Sequence, residues 1–380
     1  MSTKRKVLLF TDWYLPGFKA GGPIQSCKNI VQHLNGIYDF CIVTSDRDLG
    51  DATAYSDVLC DSWTLADGCK VWYSRSKPIL SLIKKLVEKE KPDVVYFNSM
   101  YSARFTLWPL YALNAMNYKG RIIIAPRGML HSGAMRRKWL KKKLFLRLLS
   151  FFSILKRAHF HATDAQESKD ISKYLKSSKI LTVPNIPNKE HLEWKRRKKR
   201  LDSTRMIFIS RIHPKKNLAF ALQTMRSIPT DCSIEFNIFG SVDDDNYFNK
   251  CKSIAADLGD HITVNFKGPI HPNKVFDTLR EHHLFFLPTF GENFGHAIFE
   301  SLSAGCPALI SDQTPWNGLQ QLNAGWSLPL QHEDQFTNKI QEVCRMDEKD
   351  YNEMSLAAYK FAHSYFSKLD IEKGYSNLFG

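Results

Sequence analysis

No run of eighteen uncharged apolar residues occurs in this 380-residue sequence, which excludes a membrane-spanning helix. The eight cysteines, at 27, 41, 60, 69, 232, 251, 306 and 344, form no Cys-x-x-Cys pair and no framework spacing. They read as reduced cytosolic thiols that fill the interior. There is no Walker A motif, no Gly-x-Gly-x-x-Gly, no short-period repeat and no low-complexity tract. After Met1 the first apolar stretch, 7–10, ends at Thr11-Asp12, so no signal peptide is expected. A 43% hydrophobic share with 24% charged residues excludes disordered, collagen-like and coiled-coil classes. Two or three domains fit the length.

The net charge of +15 is local. Between Arg121 and Phe160 eleven Lys/Arg stand against no Asp/Glu, and between Lys189 and Arg200 seven stand against Glu190 and Glu193. The rest of the chain is close to neutral. Such a patch points to an anionic ligand or surface rather than to general solubility.

Short apolar runs alternate with helix-spaced segments. Strands are expected at 7–11, 40–44, 71–73, 94–98, 122–125, 160–163 and 180–183, and again at 206–210, 234–239, 262–266, 284–287 and 308–311. Strands apolar on both faces and separated by helices imply buried parallel sheets, in an α/β, doubly wound architecture built twice. The turn cluster Val183-Pro184-Asn185-Ile186-Pro187-Asn188 marks a boundary. Residues 1–188 would form the first domain, 189–203 an exposed basic linker and 204–365 the second domain.

Three segments carry chemistry. The run after 284–287, Pro288-Thr289-Phe290-Gly291-Glu292-Asn293-Phe294-Gly295-His296, joins a strand to a helix that holds Glu300. Gly295 permits close backbone approach, and a helix N-terminus receives phosphate oxygens. By themselves Glu292 and Glu300 also fit a capping acid and a solvated helix glutamate. The second segment, Ser210-Arg211-Ile212-His213-Pro214-Lys215-Lys216-Asn217, puts a guanidinium fork and an ammonium at another strand end. Together they suit a diphosphate, and alone they suit solvent. The third is Gly21-Gly22-Pro23 after the first strand, by itself little more than a turn.

Two acidic or metal-like signals compete. Asp243-Asp244-Asp245 has the Asp-x-Asp form that binds Mg or Mn, yet its place before a helical stretch favours a capping turn. His159-x-His161 lacks a third ligand and fits a core or acceptor-side pair better.

Taken together these segments resemble retaining glycosyltransferases of the GT-B fold, family four of the nucleotide-sugar enzymes. Glu292 and Glu300 stand in that family's Glu-x7-Glu positions, and Ala125-Pro126-Arg127-Gly128-Met129-Leu130 is similar to its bacterial polysaccharide members. The resemblance implies two Rossmann-like domains facing across a cleft, with the final helix (366–380) returning to the first. It implies that Arg211 and Lys216 hold the donor diphosphate, that Glu300 binds the ribose and that Glu292 contacts the transferred sugar. Ser210, Asn293, Phe294, Gly295 and His296 would line the donor, Ile270 the base edge, and Gly21 and Gly22 the phosphates. Many members set a first-domain histidine against the sugar; here Arg127 and His131 stand near that region and are assigned to the acceptor side.

The implied reaction moves a sugar from a nucleoside-diphosphate sugar to a glycan or lipid-linked hydroxyl, in bacterial surface-polysaccharide assembly, with configuration kept. No metal and no resident cofactor are expected. Residues 136–157 are basic and then apolar nearly all round, which suits an anionic membrane surface and a cytoplasmic, peripheral location. A GT-B nucleotide-sugar hydrolase or epimerase is the near alternative. A nucleic-acid-binding protein is a distant one, because it leaves Arg211, Lys216, Glu292 and Glu300 unexplained.

Overall fold

Parallel pairing dominates the computed structural model, which describes residues 4–75, 80–131, 146, 155, 157–175, 179–188 and 193–380. The chain divides into two units, Met1–Ile186 with Asp370–Gly380, and Pro187–Leu369.

The first unit holds β1 (Arg5–Phe10), α1 (Gly22–Leu34), β2 (Tyr38–Ser45), β3 (Trp63–Ala66), β4 (Cys69–Ser74), α2 (Leu80–Glu90) and β5 (Val94–Phe97). These are followed by α3 (Trp108–Ala115), β6 (Arg121–Ile124), β7 (His159–Ala162), α4 (Ala165–Leu175) and β8 (Ile180–Thr182). The strands form one sheet in the order β3-β4-β2-β1-β5-β6-β7-β8, parallel except for β3 against β4. Alternate residues of β1 serve opposite faces: Val7 and Leu9 enter one apolar cluster, Leu8 and Phe10 the other. Burial on both faces is why these strands are continuous hydrophobic runs.

The second unit holds β9 (Ser203–Ile209), α5 (Leu218–Gln223), β10 (Ser233–Phe239), α6 (Asp245–Ala256), β11 (Ile262–Gly268), α7 (Pro272–Arg280) and β12 (Leu284–Leu287). It continues with α8 (His296–Ser303), β13 (Ala308–Ser311), β14 (Gly325–Leu328), α9 (Glu333–Arg345) and α10 (Glu348–Ser367). Its sheet runs β11-β10-β9-β12-β13-β14, all parallel. Both sheets therefore reverse their strand order beside their first strand, between β1 and β5 and between β9 and β12. Crevices at the carboxyl ends of such switch points are where open α/β sheets bind ligands.

The last helix, α11 (Ile371–Phe379), belongs to the first unit. Phe379 sits edge-on to Tyr38 at 5.1 Å and to Tyr96 at 5.9 Å, and Tyr375 packs on His161 at 5.8 Å.

In the basic stretch from 193 onward Glu193, Lys195, Arg196, Lys198 and Arg200 are exposed, as its composition suggests, but two of its cations are buried. Arg197 is only 9% exposed and donates to the carbonyls of His282 and Ala304 and to the Tyr351 hydroxyl. Lys199, 5% exposed, donates to the carbonyls of Cys344 at 3.0 Å and Met346 at 3.3 Å. Those carbonyls lie where α7, α8 and α9 end. Helix C-termini leave carbonyls unsatisfied and carry partial negative charge, so buried cations settle there.

Candidate active site

At the switch point of the second unit two strand-end loops are sewn together. The Lys215 carbonyl accepts from the Phe290 N–H at 2.9 Å and from the Thr289 hydroxyl at 3.1 Å. The loop after β9 is fixed first by its neighbour. Ser210 N–H donates to the Phe239 carbonyl at 3.0 Å, and a Cβ on Gly240 would lie 1.9 Å from the Ser210 carbonyl oxygen, so only glycine fits there. His213 then accepts from Lys215 N–H at 3.0 Å, and a short helical turn, Pro214–Lys216, ends at Asn217 in the left-handed region. This turn aims Lys216 at the β12 loop.

Lys216 Nζ meets Glu292 Oε1 at 2.6 Å, with both side chains largely buried. Burial raises the carboxyl's pKa, but Lys216 and Lys215 outweigh it and hold Glu292 below the usual carboxylate range. Glu292 therefore stays ionised at neutral pH. Its backbone N–H donates to the Gln313 carbonyl at 3.2 Å, which ties the loop to the segment after β13.

Arg211 lies next door, its Nη1 at 2.6 Å from Asp243 Oδ2. Asp243 is drawn in by backbone bonds between the β9 and β10 loops, Ile212 N–H to Ser241 O and Asp243 N–H to Ile212 O. Asp244 caps α6 by accepting from Tyr247 N–H at 3.0 Å, and Asp245 is that helix's first residue. The acidic triplet is thus spent on a cap and on Arg211. Among the described residues, no group of three His, Cys, Asp or Glu is placed to hold a metal. The Arg211–Asp243 pairing had no sequence signal, for the two lie 32 residues apart and meet only because β9 and β10 are adjacent.

Helix α8 is capped by Gly295, whose φ of 78° suits glycine; a Cβ would also come within 2.9 Å of the Ile298 side chain. Asn293 and His296 flank this N-terminus half-buried, and Glu300 is half-buried one turn further on. Phe294, expected among the donor contacts, has a buried side chain. The residue is 6% exposed, with its ring edge-on to Trp316 and tilted against Phe299, and its carbonyl accepts from the Trp316 indole. Hydrophobic burial occupies that side chain, which leaves the backbone for any donor contact. Ile270 follows Gly268 (φ 73°), half-buried against the same core.

The remaining candidates lie in the first unit. Gly21, at φ 66°, precedes α1 at the carboxyl end of β1, and nothing lies within 4 Å of where its Cβ would be. Gly22 is the first helical residue. Arg127, in left-handed conformation (φ 53°), sends its guanidinium inward to Tyr96, Asn98 and Asn185. Backbone N–H of His131 donates to the Gly128 carbonyl at 3.2 Å. His161 is sealed between Tyr96 and the Val183 carbonyl, each at 2.8 Å, which makes it a core histidine. Positions 132–145, 147–154 and 156, which hold most of the basic stretch, lie outside the described residues.

Residues 190–361 match the family described as glycosyl transferases group 1. Sucrose-phosphate synthase from Thermosynechococcus elongatus superposes with a TM-score of 0.70 at 14% identity, covering 99% of each chain. HepE of Anabaena, in complex with UDP and glucose, gives 0.70 at 12% identity over 98% of each chain. WaaG, a glycosyltransferase involved in lipopolysaccharide biosynthesis, gives 0.66 at 10% identity over 96% of each. No curated protein sequence matches the chain.

Proposed function

For this chain, a group 1 glycosyltransferase of the GT-B fold, we propose a nucleoside-diphosphate sugar as donor and a glycan or lipid-linked hydroxyl as acceptor. One observation carries the reading. Arg211, Lys216, Glu292 and the α8 N-terminus converge on the carboxyl edge of the second sheet at its switch point. Two cations and a helix N-terminus suit a diphosphate, and the carboxylate beside them suits a sugar. The complex of HepE with UDP and glucose supports this class of donor.

In the proposed reaction the bond from the sugar's anomeric carbon to the phosphate oxygen breaks, and a bond to the acceptor oxygen forms on the same face. The acceptor's proton passes to the departing phosphate oxygen, and configuration is retained. Arg211, Lys216 and the α8 amides stabilise the negative charge that builds on the leaving group, the term on which such a transfer depends most. Glu292 faces the positive charge that develops on the sugar, and Glu300 holds the ribose. No metal is needed for a leaving group so neutralised.

The acceptor reading takes support from WaaG's part in lipopolysaccharide biosynthesis. The uncompensated charge between Arg121 and Phe160 would bring the enzyme to the cytoplasmic face of an anionic membrane, where lipid-linked acceptors reside. Sugar release measured with and without acceptor tests the transferase reading. Strict dependence on acceptor supports it, and equal release without acceptor would mean a hydrolase.

A further inference from the structure

Asn98, just beyond β5, holds two partners at once. Its Oδ1 accepts from Arg127 Nε at 2.8 Å, and its Nδ2 donates to the Pro23 carbonyl at 3.1 Å, in the first turn of α1. Asn98 is 3% exposed, so the bridge is shielded from water. The Arg127 guanidinium is fixed in turn by Asn185 and, at 2.8 Å, by the Tyr96 hydroxyl. That hydroxyl donates to His161 Nδ1, because His161 Nε2 must carry its proton to bond the Val183 carbonyl. Burial and Arg127 push the His161 pKa down to about 3, so the ring stays neutral and keeps this arrangement. A planar fork held by three neutral oxygens has one orientation, and it passes that orientation to Asn98 and Pro23.

The preceding loop is tied from another side. Asp48, 4% exposed, accepts from the N–H groups of Phe18 at 2.7 Å and Lys19 at 3.0 Å. The Gly21-Gly22 turn is therefore anchored before and after by buried polar side chains, while the space beside Gly21 is open. Buried hydrogen-bonded groups give this kind of uniqueness because each is costly to leave unmade.

We propose that Arg127 is a positioning residue for the donor, acting through Asn98 to fix the Gly21-Gly22 turn, and is not a residue that binds the acceptor. The proposal rests on the donor role that the family resemblance implies for that turn. Glycine at 21 leaves its backbone open to close approach by a ligand, and the clamp removes the freedom that two adjacent glycines would otherwise have.

The test uses the full chain with Asn98→Ala, Asn98→Asp and Arg127→Lys, reading hydrogen exchange across residues 17–25 and the KM of donor and acceptor separately. In Asn98→Ala the amides of Ile24 and Gln25, which both bond the Gly21 carbonyl, should exchange roughly tenfold faster. Donor KM should rise roughly five- to twentyfold, with acceptor KM and kcat at saturating donor nearly unchanged. Arg127→Lys should fall between this variant and the parent, since an ammonium replaces one arm of the fork. Asn98→Asp keeps the acceptor for Arg127 and removes the donor to Pro23, so it reports on the clamp should the alanine variant not fold. Unchanged exchange and unchanged donor KM would overturn the proposal. A higher acceptor KM in Arg127→Lys with donor KM intact would return Arg127 to the acceptor side. Faster exchange with an unchanged donor KM would instead sink the donor role of the turn itself.

Discussion

Replacing Glu292 with glutamine separates the two jobs that the Lys216–Glu292 pair performs. At 2.6 Å and with both side chains at or below 15% exposure, the pair has a gross attraction of about 6 kcal/mol at an effective dielectric near 20. Most of that is offset by the cost of taking both charges out of water. A donor diphosphate must compete with Glu292 for the same ammonium. Glutamine keeps the shape but removes the carboxylate charge, so the ion pair with Lys216 becomes a weaker hydrogen bond from the ammonium to an amide oxygen. Lys216 is then freer to turn to phosphate, and the repulsion between Glu292 and the diphosphate is gone. Calorimetry with the free nucleoside diphosphate should show roughly five- to thirtyfold tighter binding, equivalent to about 1–2 kcal/mol. Turnover should fall by about a hundredfold or more, because the charge opposite the reacting sugar is lost. A folded Glu292→Gln protein that binds the nucleotide tenfold more weakly would refute the competition. Undiminished turnover would refute the catalytic role.

Other outcomes follow from the same geometry. Glu300→Ala should weaken nucleotide affinity at least tenfold through loss of a contact of about 1.5–3 kcal/mol, and unchanged calorimetric affinity would remove it from the ribose site. Arg211→Ala should abolish turnover while the parent enzyme keeps its activity in a chelator; strict Mg or Mn dependence lost with Asp243→Ala would give the acidic triplet a metal after all. His161 and His283, one in each unit, both have pKa values pushed down to about 3, by burial first and then by nearby cations, Arg127 for the one and Arg205, Lys199 and Arg197 for the other. Unfolding lets each take up a proton below about pH 6.5, so the stability they contribute is full above that pH and is lost as pH falls toward 3. Each unit should lose about 2 kcal/mol between pH 7 and pH 5; thermal melts with His161→Gln should show a shallower slope, and an unchanged slope would contradict this. Replacing Arg136, Arg137, Lys138, Lys141, Lys142 and Lys143 with Gln should release the protein from anionic vesicles and leave nucleotide binding intact. Equal sedimentation of variant and parent would end the membrane reading.

The two parallel sheets were legible in the sequence because strands buried on both faces must be apolar throughout, as Leu284–Leu287 and Val94–Phe97 are. Strand β3 escaped notice because it lies at a sheet edge, half-exposed, with no apolar run. Its signal was the turn Asp67-Gly68, both at positive φ, which joins β3 to β4 as a two-residue hairpin. Strand β14 was missed as well: four residues beginning with glycine carry too little pattern. Within the basic segment charge density could not show which cations are buried, because it says nothing about where helices end, and Arg197 and Lys199 lie at such ends. At the site, spacing along strand-loop-helix segments led to Arg211, Lys216, Glu292 and Glu300. It could not show that Asp243 pairs with Arg211 or that Asn98 joins Arg127 to Pro23, since those partners meet only across neighbouring strands. Phe294 shows that a residue inside a candidate ligand-binding segment can still place its side chain in the core.

The central claim is a nucleoside diphosphate held by Arg211, Lys216 and the start of α8. The most direct measurement is thermal unfolding of the intact chain against a panel of nucleoside diphosphates and their sugars. A ligand that binds only the folded state stabilises by mass action, by about 2.7 kcal/mol at one hundred times its Kd. At least one nucleoside diphosphate and its sugar should raise the unfolding temperature of the parent, and neither should do so for Arg211→Ala with Lys216→Ala. No shift with any nucleotide at millimolar concentration, or an equal shift in the double variant, would contradict the account.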